Sequence, residues 1–245
     1  MRGPPHAARA VRAKKERGMQ HSISQAGTRA ATKLTSVLLS GGMVAGPLYV
    51  IVGAIEMLTR PGYDPTRHDL SLMSNGNLGW IHISLFILTG LLTIAGALGM
   101  RRVLRGSRGG TWGPILLGIY GLGLIGAGFF IADPAHGFPP GTPADAHAVS
   151  WHGLLHFVSG AIGFIGLIAA CFVLARRFAA QRLRGWAVYS ATTGVLFFAA
   201  FVGIAVGSSA GGAIATVVIL AFDVAVVLGW TWISVLSLRL LTMRT

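Results

Sequence analysis

The sequence predicts an all-α integral membrane protein: six transmembrane helices in one bundle, with both termini cytoplasmic. Three observations carry that expectation. Six mainly apolar stretches, 33–59, 79–100, 111–132, 151–175, 185–207 and 212–238, each run about 20 residues or more, the length that crosses roughly 30 Å of hydrocarbon as helix. Hydrophobic residues make up 53% of the 245-residue chain and charged ones 11%, with a mean hydropathy of +0.67, a balance foreign to soluble domains. Finally, Lys and Arg gather at alternate ends of successive stretches, which sets orientation.

The basic residues make the topology explicit. Eight precede the first span, from Arg2 to Lys33; Arg101, Arg102, Arg105 and Arg108 follow the second; Arg176, Arg177, Arg182 and Arg184 follow the fourth; Arg239 and Arg244 close the chain. Only Arg60 and Arg67 fall on the opposite side, so the connections around 60–78, 133–150 and 208–211 are expected outside the cell membrane. A net charge of +13 distributed in this way points to anionic headgroups on the cytoplasmic face and not to nucleic acid. The chain divides into a basic tail over 1–32, expected to be disordered, and a six-helix domain over 33–240. The first apolar run starts late and is long, which reads as an uncleaved span, and Met19 is an alternative start. Cys171, the single cysteine, lies in the fourth span, where no intramolecular disulfide can form.

Within the spans glycine is frequent, and small residues let helices approach closely in lipid. Gly42 and Gly46 in the first span, and Gly118, Gly121, Gly123, Ala127 and Gly128 in the third, are expected at helix contacts. The two halves of the chain show no alignable repeat, which argues against a transporter built from inverted halves.

Chemistry concentrates at the end opposite the arginines. The segment Arg60-Pro61-Gly62-Tyr63-Asp64-Pro65-Thr66-Arg67-His68-Asp69-Leu70-Ser71 runs on to Asn75-Gly76 and Gly79-Trp80, with His82 just inside the second span. After the third span comes Asp133-Pro134, then His136-Gly137-Phe138-Pro139-Pro140, Asp145, His147, and Trp151-His152-Gly153-Leu154-Leu155-His156. Six of the eight histidines and four of the seven acids therefore face one side. His152 and His156 are four apart on a helix and share a stripe with Gly160 and Gly163, so they are expected to turn toward the bundle interior. Two readings stand: a divalent-metal or general-base site of His152, His156 and Asp133, joined by His82 or His68, or a histidine pair satisfying loop carbonyls. Glu56 sits near the outer end of the first span, placed to pair with Arg60 or to serve the polar rim. Asp223 lies about 16 Å into the last span at ~1.5 Å per residue, without a Lys or Arg at that depth. Its expected partners are the hydroxyls of Tyr49, Thr89, Thr93 and Ser159, and it is either a helix-to-helix hydrogen bond or a ligand or proton site.

The Gly46-Pro47-Leu48-Tyr49 step, the Arg60–Pro65 stretch with Ser71 and Gly79-Trp80, the Asp133-Pro134…Gly137-Phe138-Pro139 loop and His152-Gly153…His156 resemble the domain of unknown function 998 family of prokaryotic multi-pass membrane proteins. The likeness covers about residues 41–238. It implies a bundle of about six helices with a patterned external rim and supplies no reaction. Two functions are compatible with these residues. One is a non-catalytic bundle that binds a lipid or a partner through its external His/Asp rim and its cytoplasmic arginines, with His68, Asp69, Ser71, His82, Glu56 and Asp223 as further polar-site candidates. The other is a metal-assisted hydrolase acting on a lipid, similar in its Ser, Asp and His to the ceramidase and adiponectin-receptor superfamily. That superfamily carries its histidine pair in the last of seven spans, whereas here the pair opens the fourth of six.

Overall fold

The computed structural model describes residues 5–243 apart from Ser107 and His147. Six long helices follow one another: α1 (Pro5–Thr59), α2 (Gly79–Val103), α3 (Arg108–Phe129), α4 (Trp151–Ala180), α5 (Arg184–Gly207) and α6 (Gly212–Thr242). Each contains a membrane-length apolar stretch, that of α1 being Arg29–Thr59. Of the basic segment expected as a tail over 1–32, residues 5–32 join this span as the N-terminal part of α1. Most helices overrun the expected boundaries at the arginine-rich end, because Arg and Lys are good helix formers and their long stems can reach past the apolar zone. Helix α3 instead stops at Phe129, short of the expected Ala132.

The helices pack in a closed ring, each against its sequence neighbours, with α6 returning to α1. Large apolar side chains such as Val37, Ile51, Leu91, Leu122, Ile165, Val188 and Val217 are exposed on the outside, as a bilayer requires. Backbones come close where neither partner has a side chain: a Cβ on Gly123 would lie 2.6 Å from the Gly163 Cα, and one on Gly96 2.7 Å from the Gly42 Cα. These α3–α4 and α1–α2 contacts confirm the packing role of Gly42 and Gly123, while Gly118 faces no neighbour. Helix α5 is tied to α6 by a buried hydrogen bond from Trp232 Nε1 to Ser190 Oγ, 3.0 Å. Cys171 is buried in the core, as its position in the fourth span led one to expect.

The ring leaves space inside it. Its floor is aromatic: Tyr49 stacks on Trp230 at 4.9 Å between centroids, Tyr120 lies 5.5 Å from Trp230, and Phe164 meets Phe197 and Phe222 at 5.4 and 5.3 Å. Above that floor, toward the end that carries the long loops, the helices enclose a chamber.

Candidate functional site

The rim above the chamber is built by folding the two long loops onto each other. In the first, Asp64 N–H donates to His68 Nδ1 (2.9 Å), and His68 Nε2–H donates to the His136 carbonyl in the second loop (3.0 Å). Because Nδ1 accepts and Nε2 donates, the His68 ring is neutral and occupied at both nitrogens. It packs between Tyr63 and Phe138, each 5.5 Å away. Asn75 adds a second tie through Nδ2, donating to Leu72 O (3.2 Å) and to Ala132 O (3.0 Å). A short 3-10 turn, Leu70–Ser74, lowers Leu72 and Met73 into the mouth of the bundle, where both are buried.

Beneath the rim lies a buried charge cluster. Glu56 Oε1 meets Arg60 Nη1 at 3.3 Å, and Glu56 Oε2 accepts from His82 Nδ1 at 2.8 Å. All three side chains are buried. Arg60 also donates through Nη2 to the Asn75 carbonyl and sits 5.8 Å over the Phe138 ring. Burying an arginine is costly unless its charge and donors are met, and here a carboxylate, a carbonyl and an aromatic face meet them. Glu56, proposed from sequence as a rim residue or a partner of Arg60, is thus that partner and also the anchor of His82. The Nε2 of His82 is buried without a hydrogen-bond partner.

The three residues put forward as metal ligands each have contacts of their own, with the Asp133 carboxylate lying against Gly153 of α4. Asp133 spends both carboxylate oxygens on the start of α4: Oδ2 accepts from Ser150 N–H (2.7 Å) and Oδ1 from Ser150 Oγ (2.6 Å), while Ser150 Oγ accepts from Gly153 N–H (3.1 Å). Its carboxyl group fills the place a Cβ on Gly153 would take, which requires glycine there. His152 is exposed and lies against Trp151, with ring centroids 3.5 Å apart. His156 is buried, and its Nδ1 donates to the Ala127 and Phe130 carbonyls (3.0 and 2.8 Å). These are carbonyls that the early end of α3 leaves without helical partners, so the imidazole serves as their cap. The four-residue spacing does put both histidines on one stripe, but the first lies above the end of α3 and the second against it. Among the described residues no group of three or more His, Cys, Asp or Glu is placed to hold a metal ion. His147, part of the expected polar loop, lies outside the described residues.

What does converge is the chamber, about 480 Å³ in volume, within the size range of small-molecule pockets. Every helix contributes to its wall: Tyr49 from α1, Phe86 from α2, Tyr120 and Ala127 from α3, His156, Gly160 and Phe164 from α4, Phe201 from α5, Phe222 and Val226 from α6. Asp69, Leu70 and Ser71 close its top. Phe157 of α4 and Ala205 of α5 also line it and are exposed, which puts an opening on the α4–α5 side. The wall is mostly apolar, with polar groups confined to a few points: Asp69, Ser71, His156, Ser208 and the two tyrosines. With Nδ1 protonated and engaged, the neutral His156 ring offers its other nitrogen as an acceptor.

Of the residues singled out from sequence, Asp69, Ser71 and His156 line this chamber; His68, His82 and Glu56 hold the structure around it, and His152 and Asp133 stand apart from it. Asp69 is half-buried, and its Oδ1 has no hydrogen-bond partner. Burial pushes its carboxyl above the ordinary range. Burial, together with the neighbouring carboxyls of Asp223 and Asp69, likewise holds the Tyr63 phenol well above its usual value. Asp223 does not find the hydroxyl partners expected for it. Thr89 and Thr93 bond carbonyls of their own helix, at 2.6 Å to Leu85 O and 2.7 Å to Thr89 O, and Asp223 Oδ2 is buried without a partner. Tyr120, Phe164 and Phe222 are among the lining residues that sequence reading missed, since nothing distinguishes a chamber-facing aromatic from a packed one in a run of apolar residues.

No curated protein and no solved structure matches the chain significantly. The family model described as "Protein of unknown function (DUF998)" matches residues 43–239, which span the last third of α1, the next four helices, α6 as far as Arg239 and both long loops. Most of the motifs that carry the resemblance build the rim, namely Arg60 and Tyr63, Asp133, Phe138 and the start of α4, while the Gly46–Tyr49 step lies within α1. The chain is a multi-pass membrane protein of six apolar helices, and it belongs to the DUF998 family.

Proposed function

We propose that this protein holds the apolar tail of a lipid in the chamber at the centre of its helix ring, with the polar end of that lipid at the loop rim. The observation that carries this reading is a mostly apolar chamber lined by all six helices, whose only charged side chain among the described residues, Asp69, is at its top, the other polar groups being Ser71, Ser208, His156 and the phenols of Tyr49 and Tyr120. Such a lining suits a ligand that is apolar along most of its length and polar at one end. The opening between α4 and α5 lies among outward-facing apolar side chains, so a tail can pass from the bilayer without crossing water. The arginine asymmetry supports an orientation in the cell membrane with the rim outside and both termini in the cytoplasm. On that orientation a cysteine replacing Asp145 reacts with an impermeant reagent in intact cells and one replacing Ser107 does not, in a chain whose Cys171 has been replaced; the reverse pattern inverts the assignment.

The hydrolase alternative needs His152, His156 and Asp133 at one point, and the three are engaged separately, so the binding reading is preferred. Gly160 provides its test. A Cβ there meets only the Phe164 ring, at 3.8 Å, so a larger side chain enters the chamber and not a neighbouring helix. In neutral maltoside micelles, Gly160→Leu should lower the affinity for hexadecyl amphiphiles about tenfold or more, roughly 1.4 kcal/mol, with the melting temperature little changed. Undiminished binding by this variant, or no binding of any hexadecyl amphiphile by the unaltered protein, would overturn the proposal.

A further inference from the structure

Three groups in or beside the chamber offer hydrogen-bond acceptance that the protein itself does not use: Asp69 and His156 line it, and Asp223 lies next to the lining residue Phe222. Asp69 lines the chamber, and its buried Oδ1 has no partner. Asp223, next in sequence to the lining residue Phe222, is within electrostatic reach of Asp69 and has a buried Oδ2 without a partner. His156 is 6% exposed and lines the chamber; both of its hydrogen bonds are made by Nδ1, which leaves Nε2 as an acceptor. Unmet buried polar atoms are uncommon in folded proteins, and each asks for an explanation. Two carboxyl groups and an imidazole acceptor make a coherent one, because all three lack the same thing: a donor, preferably a positive one.

The cations nearby do not supply it. Arg60 is committed to Glu56, Asn75 and Phe138, and Arg67 is exposed. His68 is neutral by its hydrogen bonds. His136 approaches Asp69 electrostatically, yet Asp69 Oδ1 remains without a hydrogen bond. A phosphate or carboxylate head placed here would face two carboxyl groups in a poorly solvated space, whereas an ammonium would meet acceptors on several sides, with charge-assisted bonds about twice as strong as neutral ones.

We propose that the chamber is selective for an amphiphile whose polar end is a protonated amine, with the ammonium seated against Asp69 at the top of the chamber, Asp223 within electrostatic reach of it, and the tail directed along the wall that carries His156 toward the aromatic floor. This rests on the tail-binding reading above and adds the identity of the head.

The test uses the full-length protein in neutral maltoside micelles and three probes with the same tail: hexadecylamine, hexadecanol and monohexadecyl phosphate. Hexadecylamine should bind at least about tenfold more tightly than the alcohol, with the phosphate weakest. Asp69→Asn should remove about 10- to 100-fold of the amine affinity, the size of one hydrogen bond to a charged group, and leave hexadecanol nearly unaffected. Asp223→Asn serves as a second, independent variant with the same expected selectivity. Alcohol or phosphate binding as tightly as the amine would overturn the proposal while leaving tail binding intact, as would amine affinity unmoved by both variants. Binding of none of the three would overturn the tail-binding reading itself. Displacement of hexadecylamine by added phosphatidylethanolamine, but not by phosphatidylcholine, would support the ammonium site and place its source in a lipid headgroup; persistence against both would support it as a site for single-chain amines.

Discussion

Glu56→Gln should destabilise the protein by about 3–5 kcal/mol, the cost of removing one member of a buried ion pair and leaving the other uncompensated. The stranded charge is Arg60, which is 7% exposed and keeps only the Asn75 carbonyl and the Phe138 ring. The substitution also takes the carboxylate from His82 Nδ1, whose other nitrogen already lacks a partner. Equilibrium unfolding in mixed micelles measures the loss. A double substitution with Arg60→Met is the informative control, because removing both charges eliminates the uncompensated one. The double variant should therefore be more stable than Glu56→Gln alone, leaving a residual cost of about 1–3 kcal/mol for the orphaned Asn75 carbonyl. Additive losses would show that the two side chains do not act as a pair.

Phe138→Ala should cost about 3–5 kcal/mol, the usual range for emptying a buried aromatic site. Phe138 is 1% exposed although it lies in a loop, and it is the residue on which the rim converges: Tyr63 edge-on at 5.5 Å, His68 at 5.5 Å and Arg60 above the ring. Its loss leaves the His68–His136 and Asn75–Ala132 hydrogen bonds, with the close approaches of Gly62 to Pro140 and Gly76 to Pro139, to join the two loops among the described residues. Faster proteolytic cleavage within 60–78 and 133–150, with the helices still protected, is the expected signature. Cleavage rates equal to those of the unaltered protein would mean that the rim does not depend on this ring.

The six helices were legible because hydropathy and length act locally, and the direction of packing was legible at Gly42 and Gly123, where only a missing side chain permits contact. Ring closure by α6 onto α1 was not, since it depends on which faces of α5 and α6 meet, and both helices are apolar all round. Glu56 with Arg60 could be read from the four-residue spacing on one helix. The third member, His82, comes from another helix 26 positions away, so no local pattern announces the pairing. For the histidine pair the spacing was right and the inference from it incomplete. Angular position on α4 is fixed by sequence, but what each ring meets is fixed by where α3 ends. Helix α3 stops at Phe129, so His156 reaches its last carbonyls and His152 finds no helix beside it. Asp133 was put forward from sequence as a ligand; that both of its oxygens accept hydrogen bonds from a serine 17 positions later is a contact no local pattern announces. The chamber itself is invisible in sequence, because Tyr120, Phe164 and Phe222 would look the same if they were packed solid.

Photo-crosslinking tests the central claim, that a lipid tail occupies the inside of the ring, most directly. A hexadecyl amphiphile with a diazirine at the end of its chain, irradiated with the full-length protein in neutral micelles and mapped by peptide mass spectrometry, should mark Tyr120, Phe164 and Phe222, with the yield suppressed by Gly160→Leu. Adducts confined to outward-facing positions such as Leu122, Ile165 and Val195, unaffected by that substitution, would contradict it.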